Sequence, residues 1–297
     1  MQVTRYEYGK SPRLGKAVIA LGLFDGIHLG HRTLLNKARE IARARGLLFG
    51  VFTFVGIEGV KGGSPLFSDK NKLRLLEELG ADTVYLADFG EISDVTADGF
   101  ISTSLISDME CEVAVAGFDF TFGKGKSGNA RLLEQTLKSL GKECLIIDEV
   151  KANGEKISTT RIKSLLAEGR VKEAAELLGK PYFISSTVIK GDGRGRGLGF
   201  PTVNTELSDT HLKRGVYEAR VTVFGTEYPA ITNVGTCPTF GERELHAETF
   251  ILGYEGDLYG ESVDISLTDF IRDERVFSSE EDLKLQINKD IDKILKG

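Results

Sequence analysis

Short apolar runs alternate with amphipathic helix patterns through the first half of this chain, and this alternation constrains the fold more than any other feature. The runs are rich in Val, Ile, Leu and Phe and lie at residues 17–24, 48–54, 83–89, 111–117 and 143–150. Because they are short and bounded by turn residues, they are typical of buried parallel strands. Helical patterns lie between them at residues 32–45, 69–79, 96–109 and 131–140. Strands that alternate with helices predict an open α/β sheet with right-handed crossovers.

The pattern changes near Pro181, where we place a domain boundary between residues 1–181 and 182–297. Segments rich in β-branched and aromatic residues follow at residues 182–190, 216–224, 228–234, 244–254 and 262–270. Glycine-containing turns separate them, which predicts a small antiparallel barrel or sandwich. One amphipathic helix at residues 280–295 closes the chain. At about 150 residues per domain, a chain of 297 residues is long enough for two domains.

Composition argues against several classes of function. The net charge is −6, with 44 acidic and 38 basic residues, which disfavours sequence-independent binding of nucleic acid. No apolar run reaches the ~18 residues of a membrane span, and the N-terminal segment lacks the apolar centre of a signal peptide. Cys111, Cys144 and Cys237 are far apart and form no CxxC pair. This spacing disfavours a disulfide framework or a zinc site, and we expect reduced thiols in a cytoplasmic protein.

The first candidate site is the segment FDGIHLGH, residues 24–31, which follows the first apolar run and precedes a helix pattern. A helix N-terminus offers free N–H groups and a partial positive charge to phosphate. Gly26 and Gly30 allow close approach of the backbone, and His28 and His31 can donate hydrogen bonds, more strongly when protonated. Two of the four histidines of the chain stand within four residues here, which favours a functional role. A zinc site is disfavoured because no third ligand stands nearby.

Two further segments are expected to complete this site. The segment ISTTRIK, residues 157–163, opens a helix pattern with three hydroxyls and two cations, more than helix capping alone requires. Asp119 follows another apolar run and has aromatic neighbours. It can hold Mg²⁺ or a flat ligand, or it can simply belong to a loop turn. Together with the two histidines, these residues predict a site for a triphosphate.

The second candidate site lies in the barrel region, where glycines occupy alternate positions from Gly191 to Gly199. A glycine-rich loop can hold phosphates through backbone N–H groups, whereas a Walker A loop is excluded because no GK[ST] follows. The alternative, a flexible linker or an RGG-like segment, is not expected between two strands of one small domain. Thr202 and Asn204 then supply oxygen ligands suited to a hard cation such as Mg²⁺. Glu248 stands in an apolar strand pattern, either as an outward-facing residue or as the base that a kinase needs.

In sequence order, these motifs resemble those of the bacterial bifunctional riboflavin kinase/FMN adenylyltransferase family, over nearly the whole chain. The segments are GLFDGIHLGH, GFDFTFG, ISTTRIK, LLGKPY, GRGRGLGFPTVN, GVYEARV, NVGTCPTF, AETFIL and DLYG…FIRDE. The resemblance implies a Rossmann-like nucleotidyltransferase domain followed by a six-stranded riboflavin kinase-like barrel with a closing helix. It implies that ATP phosphorylates riboflavin to FMN, and that AMP is then transferred from ATP to FMN with release of pyrophosphate, which forms FAD.

The resemblance also assigns roles to individual residues. In the adenylyltransferase domain it implies catalytic roles for His28, His31 and Arg161, and binding roles for Gly22, Phe24, Asp25, Gly26, Gly30, Asp119, Ser158 and Thr160. In the kinase domain it implies Glu248 as the catalytic base, Thr202 and Asn204 as metal ligands, and binding roles for Gly191, Gly193, Gly195, Gly199, Pro201 and Arg272. The implied partners are riboflavin, FMN and ATP with Mg²⁺, and neither nucleic acid nor a membrane. The oligomeric state stays open and includes a monomer.

Several positions depart from the family pattern, most of them in the adenylyltransferase half. Val55-Gly56-Ile57-Glu58 stands where the family usually carries Pro-His-Pro, and GFDF stands in place of the commoner GEDF. Thr159, Lys163 and Phe250 replace a serine, an arginine and a frequent histidine. A riboflavin kinase with a weak or silent transferase therefore stays open, as does a non-catalytic flavin or nucleotide sensor. An aminoacyl-adenylate enzyme is disfavoured because the chain has no basic extension for tRNA.

Overall fold

The computed structural model describes residues 1–56, 64–191, 194–207, 210–236 and 245–296. The chain divides into two compact units, Met1–Thr159 and Thr160–Gly297. The second unit includes the segment between Thr160 and Pro181, and the domain boundary at Pro181 stays a prediction. Within the described ranges, no helix is long and apolar enough to cross a membrane.

The first unit is a parallel sheet with helices, which confirms the predicted α/β class. Its strands are β1 (Gln2–Tyr6), β2 (Ala17–Leu21), β3 (Leu48–Val55), β4 (Thr83–Asp88), β5 (Cys111–Gly117), β6 (Thr121–Phe122), β7 (Gly128–Asn129), β8 (Glu143–Ile147), β9 (Lys151–Ala152) and β10 (Glu155–Lys156). Its helices are α1 (Leu29–Arg45), α2 (Asp69–Glu78), α3 (Phe89–Ile92), α4 (Ala97–Gly99) and α5 (Ala130–Ser139). The main sheet has the order β1-β4-β3-β2-β5-β8, and β6 with β7 and β9 with β10 form two short hairpins.

The order of the strands reverses beside β2. The chain passes from β2 through β3 to β4 on one side and then crosses to β5 and β8 on the other. Open α/β sheets bind ligands outside the carboxyl ends of their strands at such a reversal. Every residue of β2 is buried, so the loop after it leaves from a rigid core. The topology therefore brings the FDGIHLGH loop after β2 and Asp119 after β5 to the same edge of the sheet.

Two elements of this unit differ from the sequence-based expectation. The edge strand β1 escapes prediction because its residues are mostly exposed and polar, although it pairs with β4 along its whole length. The helix predicted at residues 96–109 is the short α4 followed by a π-helix over Phe100–Asp108. Asp108 and Ser104 of this π-helix hydrogen-bond to the buried Tyr6 hydroxyl, at 2.9 and 2.7 Å. The π-helix therefore contributes polar side chains to a contact inside the core.

In its described residues, the second unit is a closed barrel of antiparallel strands with helices around it, which confirms the barrel rather than the sandwich. Its strands are β11 (Tyr182–Ile189), β12 (Thr202–Leu207), β13 (Gly215–Val223), β14 (Thr226–Thr236), β15 (Leu245–Ile251) and β16 (Ser262–Arg272). Its helices are α6 (Thr159–Ala167), α7 (Val171–Leu178), α8 (Arg194–Leu198) and α9 (Glu280–Lys296). The strands follow the order β11-β12-β15-β14-β13-β16 around the barrel. The strand β12 is not predicted from the sequence, because its short segment directly follows the glycine-rich stretch.

The cysteines of the first unit are free thiols. Cys111 is fully buried and Cys144 is partly buried, and burial raises the pKa of each thiol to about 12. Both therefore stay protonated and unreactive at physiological pH. Cys237 lies outside the described residues.

Candidate active sites

The loop between β2 and α1 is tightly packed and strained. Phe24 and Ile27 are buried and have φ angles of 49° and 42°, in the left-handed region that residues with side chains rarely adopt. Gly26 has φ 82°, and a Cβ there would lie 2.6 Å from Leu66 Cδ1. A Cβ on Gly22 would lie 2.9 Å from the Phe24 ring. Such strained backbone persists only where the surroundings hold it, and it is typical of ligand-binding loops.

Asp25 fastens this loop to two neighbouring segments. Its Oδ1 accepts a hydrogen bond from the Leu66 N–H at 2.7 Å, and its backbone carbonyl accepts one from the Thr159 hydroxyl at 3.0 Å. The second bond brings the ISTTRIK segment to the loop, where Ser158 is half-buried. Asp25 thus holds the shape of the loop, whatever contact it also makes with a ligand. Thr160 and Arg161 follow in the first turn of α6, within the second unit.

His28 is the N-cap of α1 and carries no charge. Its Nδ1 accepts a hydrogen bond from the His31 backbone N–H at 3.3 Å, so the proton of the neutral ring resides on Nε2. Burial, reinforced by the positive charge of Lys156, lowers the pKa of His28 to about 4. The imidazole is therefore a neutral Nε2–H donor at physiological pH, and not the protonated donor considered from the sequence.

The two histidines form one rigid pair. The His31 ring stacks on the His28 ring with centroids 3.7 Å apart, and Phe24 meets His31 edge-on at 5.4 Å. A Cβ at Gly30 would lie 3.2 Å from the His28 ring, a tight contact that would press on the ring. The first turn of α1 holds no acidic residue, so the positive end of the helix dipole is not offset there. The pair and the helix N-terminus together suit an anion.

Lys156 is a charged residue of this region that the sequence reasoning missed. Its Nζ donates to Asp119 Oδ2 at 2.7 Å and lies 4.8 Å from the centre of the Phe118 ring. The signal was present, since Lys156 immediately precedes ISTTRIK in the sequence. Because the Asp119 carboxylate already faces a cation, its charge is compensated without a metal ion. This pairing weakens the case for Mg²⁺ at Asp119.

Aromatic side chains cluster at the carboxyl ends of β3, β4 and β5. Phe54 is the second-last residue of β3, and its ring centroid lies 5.7 Å from that of Phe89, while Phe120 stacks on Phe122 at 5.6 Å. Phe89 and Phe118 are 38% and 44% exposed, so part of each ring is accessible to a ligand. The sequence showed the aromatic residues around Asp119, but the contribution of Phe54 and Phe89 depends on strand order. In the segment that departs from Pro-His-Pro, Ile57 and Glu58 lie outside the described residues.

The second candidate site is a row of side chains across the outer face of the barrel. The strand register pairs Asn204 with Glu248, Glu248 with Asn233, Asn233 with Val216, and Val216 with Arg272. All five line one cavity of about 690 Å³. Because neighbouring strands lie about 4.8 Å apart, the row runs roughly 14 Å from Glu248 to Arg272. The sequence reasoning identified three members of this row but missed Asn233, which lies opposite Glu248.

Thr202 and Asn204 occupy one end of this row together with two of the predicted glycines. They lie two residues apart on β12, so their side chains share a face, and both line the cavity. A Cβ on Gly191 would overlap the Asn204 amide, and a Cβ on Gly195 would overlap the Phe200 carbonyl and lie 3.1 Å from Thr202 Oγ1. The glycines therefore let the backbone pass directly over these two oxygen-bearing side chains.

The glycine-rich segment is partly helical rather than an open loop. Residues Arg194–Leu198 form α8, and Gly199 then takes φ 88° before the exposed Pro201 begins the approach to β12. Gly193 lies outside the described residues. Leu283 and Ile287 of α9 line the same cavity, so the closing helix contributes one of its walls.

Both halves of the chain match known families. The FAD synthetase model matches residues 10–161, and the riboflavin kinase model matches residues 178–296. The bifunctional riboflavin kinase/FMN adenylyltransferase of Bacillus subtilis (strain 168) is 35% identical over 93% of this chain and 90% of its own length. The protein of the same name from Escherichia coli (strain K12) is 33% identical, over 96% and 93%. A solved structure described as a macrolide-efflux protein from Streptococcus pneumoniae superposes with a TM-score of 0.89 at 32% identity, covering 100% of both chains.

Proposed function

Because this chain belongs to the bifunctional riboflavin kinase/FMN adenylyltransferase family and therefore makes FMN from riboflavin and FAD from FMN, we propose that its two sites divide these reactions. In this proposal the barrel cavity carries the kinase reaction, and the loop after β2 carries the adenylyl transfer. The observation on which the proposal depends is the row across the barrel. It sets a carboxylate between two amide side chains inside a cavity of about 690 Å³, a size typical of small-molecule sites.

In the kinase reaction, Glu248 acts as the general base. Its carboxylate takes the proton of the ribityl 5′-hydroxyl, and the oxygen then attacks the γ-phosphorus of ATP while ADP leaves. Asn204 and Asn233 flank Glu248 on the neighbouring strands and limit the positions of its carboxylate. Glu248 thereby meets the hydroxyl at the middle of the row, between the nucleotide and the flavin ring.

Thr202 and Asn204 are the residues that would hold Mg²⁺. Their hydroxyl and amide oxygens are ligands that a hard cation accepts, and the backbone at Gly191 and Gly195 passes over them without side chains. When bound, Mg²⁺ supplies neutralisation of the phosphate charge that develops during transfer. The glycines leave room for phosphate groups beside these two side chains.

In the adenylyl transfer, the phosphate of FMN attacks the α-phosphorus of ATP, and pyrophosphate leaves. The FMN phosphate is already an anion, so this step needs no base, and the protein acts by positioning and charge stabilisation. His28 donates its Nε2–H to the phosphates, His31 fixes the His28 ring by stacking, and the α1 N-terminus adds backbone donors. Ser158, which is half-buried next to Thr159 in the same unit, supplies a further donor, whereas the roles of Thr160 and Arg161 stay predictions from the sequence.

The flavin ring of FMN lies against the aromatic cluster at the carboxyl ends of β3, β4 and β5. Exposed aromatic faces bind flat rings by offset stacking, and Phe89 and Phe118 present such faces. Lys156, which lies over Phe118 and beside Asp119, adds a positive charge near the phosphates. In this proposal the FMN phosphate lies next to the histidine pair, because the loops after β2 and β5 lie at the same edge of the sheet.

An assay of product formation tests whether the protein carries out both reactions. Purified protein supplied with riboflavin, ATP and Mg²⁺ is expected to form FMN and then FAD, and supplied FMN is expected to form FAD directly. Removal of Mg²⁺ by EDTA is expected to stop FMN formation, because the phosphate charge is then not neutralised. Chromatography of the flavins measures both steps. FMN without FAD would indicate a silent transferase, and flavin binding without turnover would indicate a sensor.

The charge state of His28 predicts a distinctive pH dependence. Its pKa of about 4 in the folded protein lies below the unperturbed value of 6.5. Between these values the unfolded chain binds the extra proton and the folded chain does not, so the free energy of unfolding rises with pH across this window. NMR titration of the His28 ring is expected to show its inflection near pH 4. An inflection near 6.5 would show that His28 is protonated far more easily than its burial implies.

A further inference from the structure

The closing helix α9 presents a buried carboxylate to the kinase cavity. Among the side chains of α9 that the structure describes, Asp290 is the one that is fully buried, at 4% exposure. Its Oδ2 accepts a hydrogen bond from Arg272 Nε at 2.8 Å, and the Arg272 side chain is 12% exposed. A charge at such depth is strongly unfavourable unless it is paired, so this ion pair holds α9 and β16 together.

Gln286 completes the pair from one turn earlier in α9. Its Nε2 donates to Asp290 Oδ1 at 2.8 Å, so both carboxylate oxygens have a donor. Arg272 in turn donates from Nη1 to the Asp273 carbonyl at 3.2 Å, and its guanidinium lies 5.8 Å from the Phe277 ring centre. Within the described ranges, Arg272 Nη2 has no partner, although Arg272 lines the cavity. One N–H edge of the guanidinium is therefore left for a ligand.

The strand side of the cavity also fixes the position of Arg272. The register between β13 and β16 shifts, so that Tyr217 pairs with Phe270 while Val216 pairs with Arg272. The extra residue, Ile271, has no partner on β13. Such a bulge turns the following side chain away from the regular alternation. The bulge in β16 and the Asp290 carboxylate of α9 together fix the position of the Arg272 side chain.

We propose that Asp290, supported by Gln286, is a positioning residue of the kinase site that aims Arg272 Nη2 at the flavin ring. This inference rests on the proposed function, in which the barrel cavity binds riboflavin. Because Asp290 offsets the charge of Arg272, the Arg272 guanidinium acts at this end of the row as a hydrogen-bond donor whose charge is already paired. A ring carbonyl of riboflavin fits such a donor, whereas a phosphate does not. The pair therefore orients riboflavin with its ring at Arg272 and its ribityl hydroxyl toward Glu248.

The test is Asp290→Asn, which keeps the shape of the side chain and removes its charge. We expect the KM for riboflavin to rise roughly tenfold or more. This factor in affinity corresponds to the loss of one hydrogen bond to a charged group. The KM for ATP and kcat at saturating riboflavin are expected to stay within about twofold, because the bonds that the substitution alters are those of Asp290 with Arg272 and Gln286, and Glu248 itself is unchanged. Asp292→Asn, an equal charge change at an exposed position of the same helix, is the matched control. FAD formation from supplied FMN reports that the rest of the chain is folded.

Three results would overturn the inference. An unchanged KM for riboflavin in Asp290→Asn excludes the positioning role. A parallel loss in kcat and in both KM values, with a lower melting temperature, shows that the pair only stabilises the barrel. If the unmodified protein itself makes no FMN, the proposed function fails before any variant is measured. The first two results leave the proposed function intact, so the two failures are distinguishable.

Discussion

Replacing Glu248 by glutamine is expected to lower the rate of FMN formation from riboflavin by about 10²–10⁴-fold, the factor typical of one general base. Glutamine has nearly the same size and keeps the place of residue 248 between Asn204 and Asn233 in the strand register. It cannot accept the proton of the ribityl hydroxyl at neutral pH, so the attacking oxygen stays protonated. The defect is therefore expected in kcat, with the KM values for riboflavin and ATP little changed.

The measurement compares two activities of the same protein. FAD formation from supplied FMN is expected to keep its normal rate in Glu248→Gln, because that reaction takes place in the first unit. Glu206→Gln is the matched control, since Glu206 is an exposed glutamate on β12, beside the strand that carries Glu248. Loss of both activities in a folded variant would contradict the division between two sites. A normal rate of FMN formation would remove Glu248 from the role of base.

The sequence predicts candidate residues for the proposed kinase site more readily than it predicts their arrangement. Thr202, Asn204 and Glu248 stand out because polar oxygen-bearing side chains are unusual beside glycines or within an apolar strand pattern. Their alignment depends on the pairing of strands far apart in sequence, which no local pattern contains. Asn233 was missed for the same reason. It becomes a candidate only when the register sets it opposite Glu248.

The closing helix shows a second limit of pattern reasoning. Its apolar positions predict the helix correctly, because they recur at helical spacing. The same rule treats Asp290 as one more polar residue of a charged helix. Its burial follows from the position of Arg272, which a bulge in β16 determines. A side chain whose role depends on a distant bulge cannot be recognised from the helix alone.

In the first unit, the alternation of strands and helices predicts the sheet. A buried parallel strand can be recognised from its own apolar run, without knowledge of the strand with which it pairs. The edge strand β1 is missed since its exposed residues lack an apolar signal. The composition of the segment FDGIHLGH and its position between a strand and a helix are enough to predict an anion site there. The protonation state of His28 is a different matter, because it depends on burial and on the charge of Lys156, which only the folded chain brings near.

The second large effect is expected for His28→Asn, which should lower FAD formation from supplied FMN by about 10²–10³-fold, the range for loss of one preorganised donor. Asparagine is among the best N-cap residues, so its side-chain oxygen can still accept the His31 N–H that His28 Nδ1 accepts now. Its shorter side chain cannot bring a donor to the position of Nε2. The substitution thus separates the capping of α1 from the contact with the phosphates.

His28→Ala provides the comparison, because it removes both the cap and the donor. It is expected to lose FAD formation to the same extent, and to lose about 1 kcal/mol of stability that His28→Asn retains. Melting temperature and the rates of both reactions measure these effects, and FMN formation from riboflavin should be unchanged in both variants. Full FAD formation by His28→Asn would show that capping, and not donation from Nε2, is the contribution of His28. A rate defect limited to the less stable His28→Ala would lead to the same conclusion, since only the cap distinguishes the two variants.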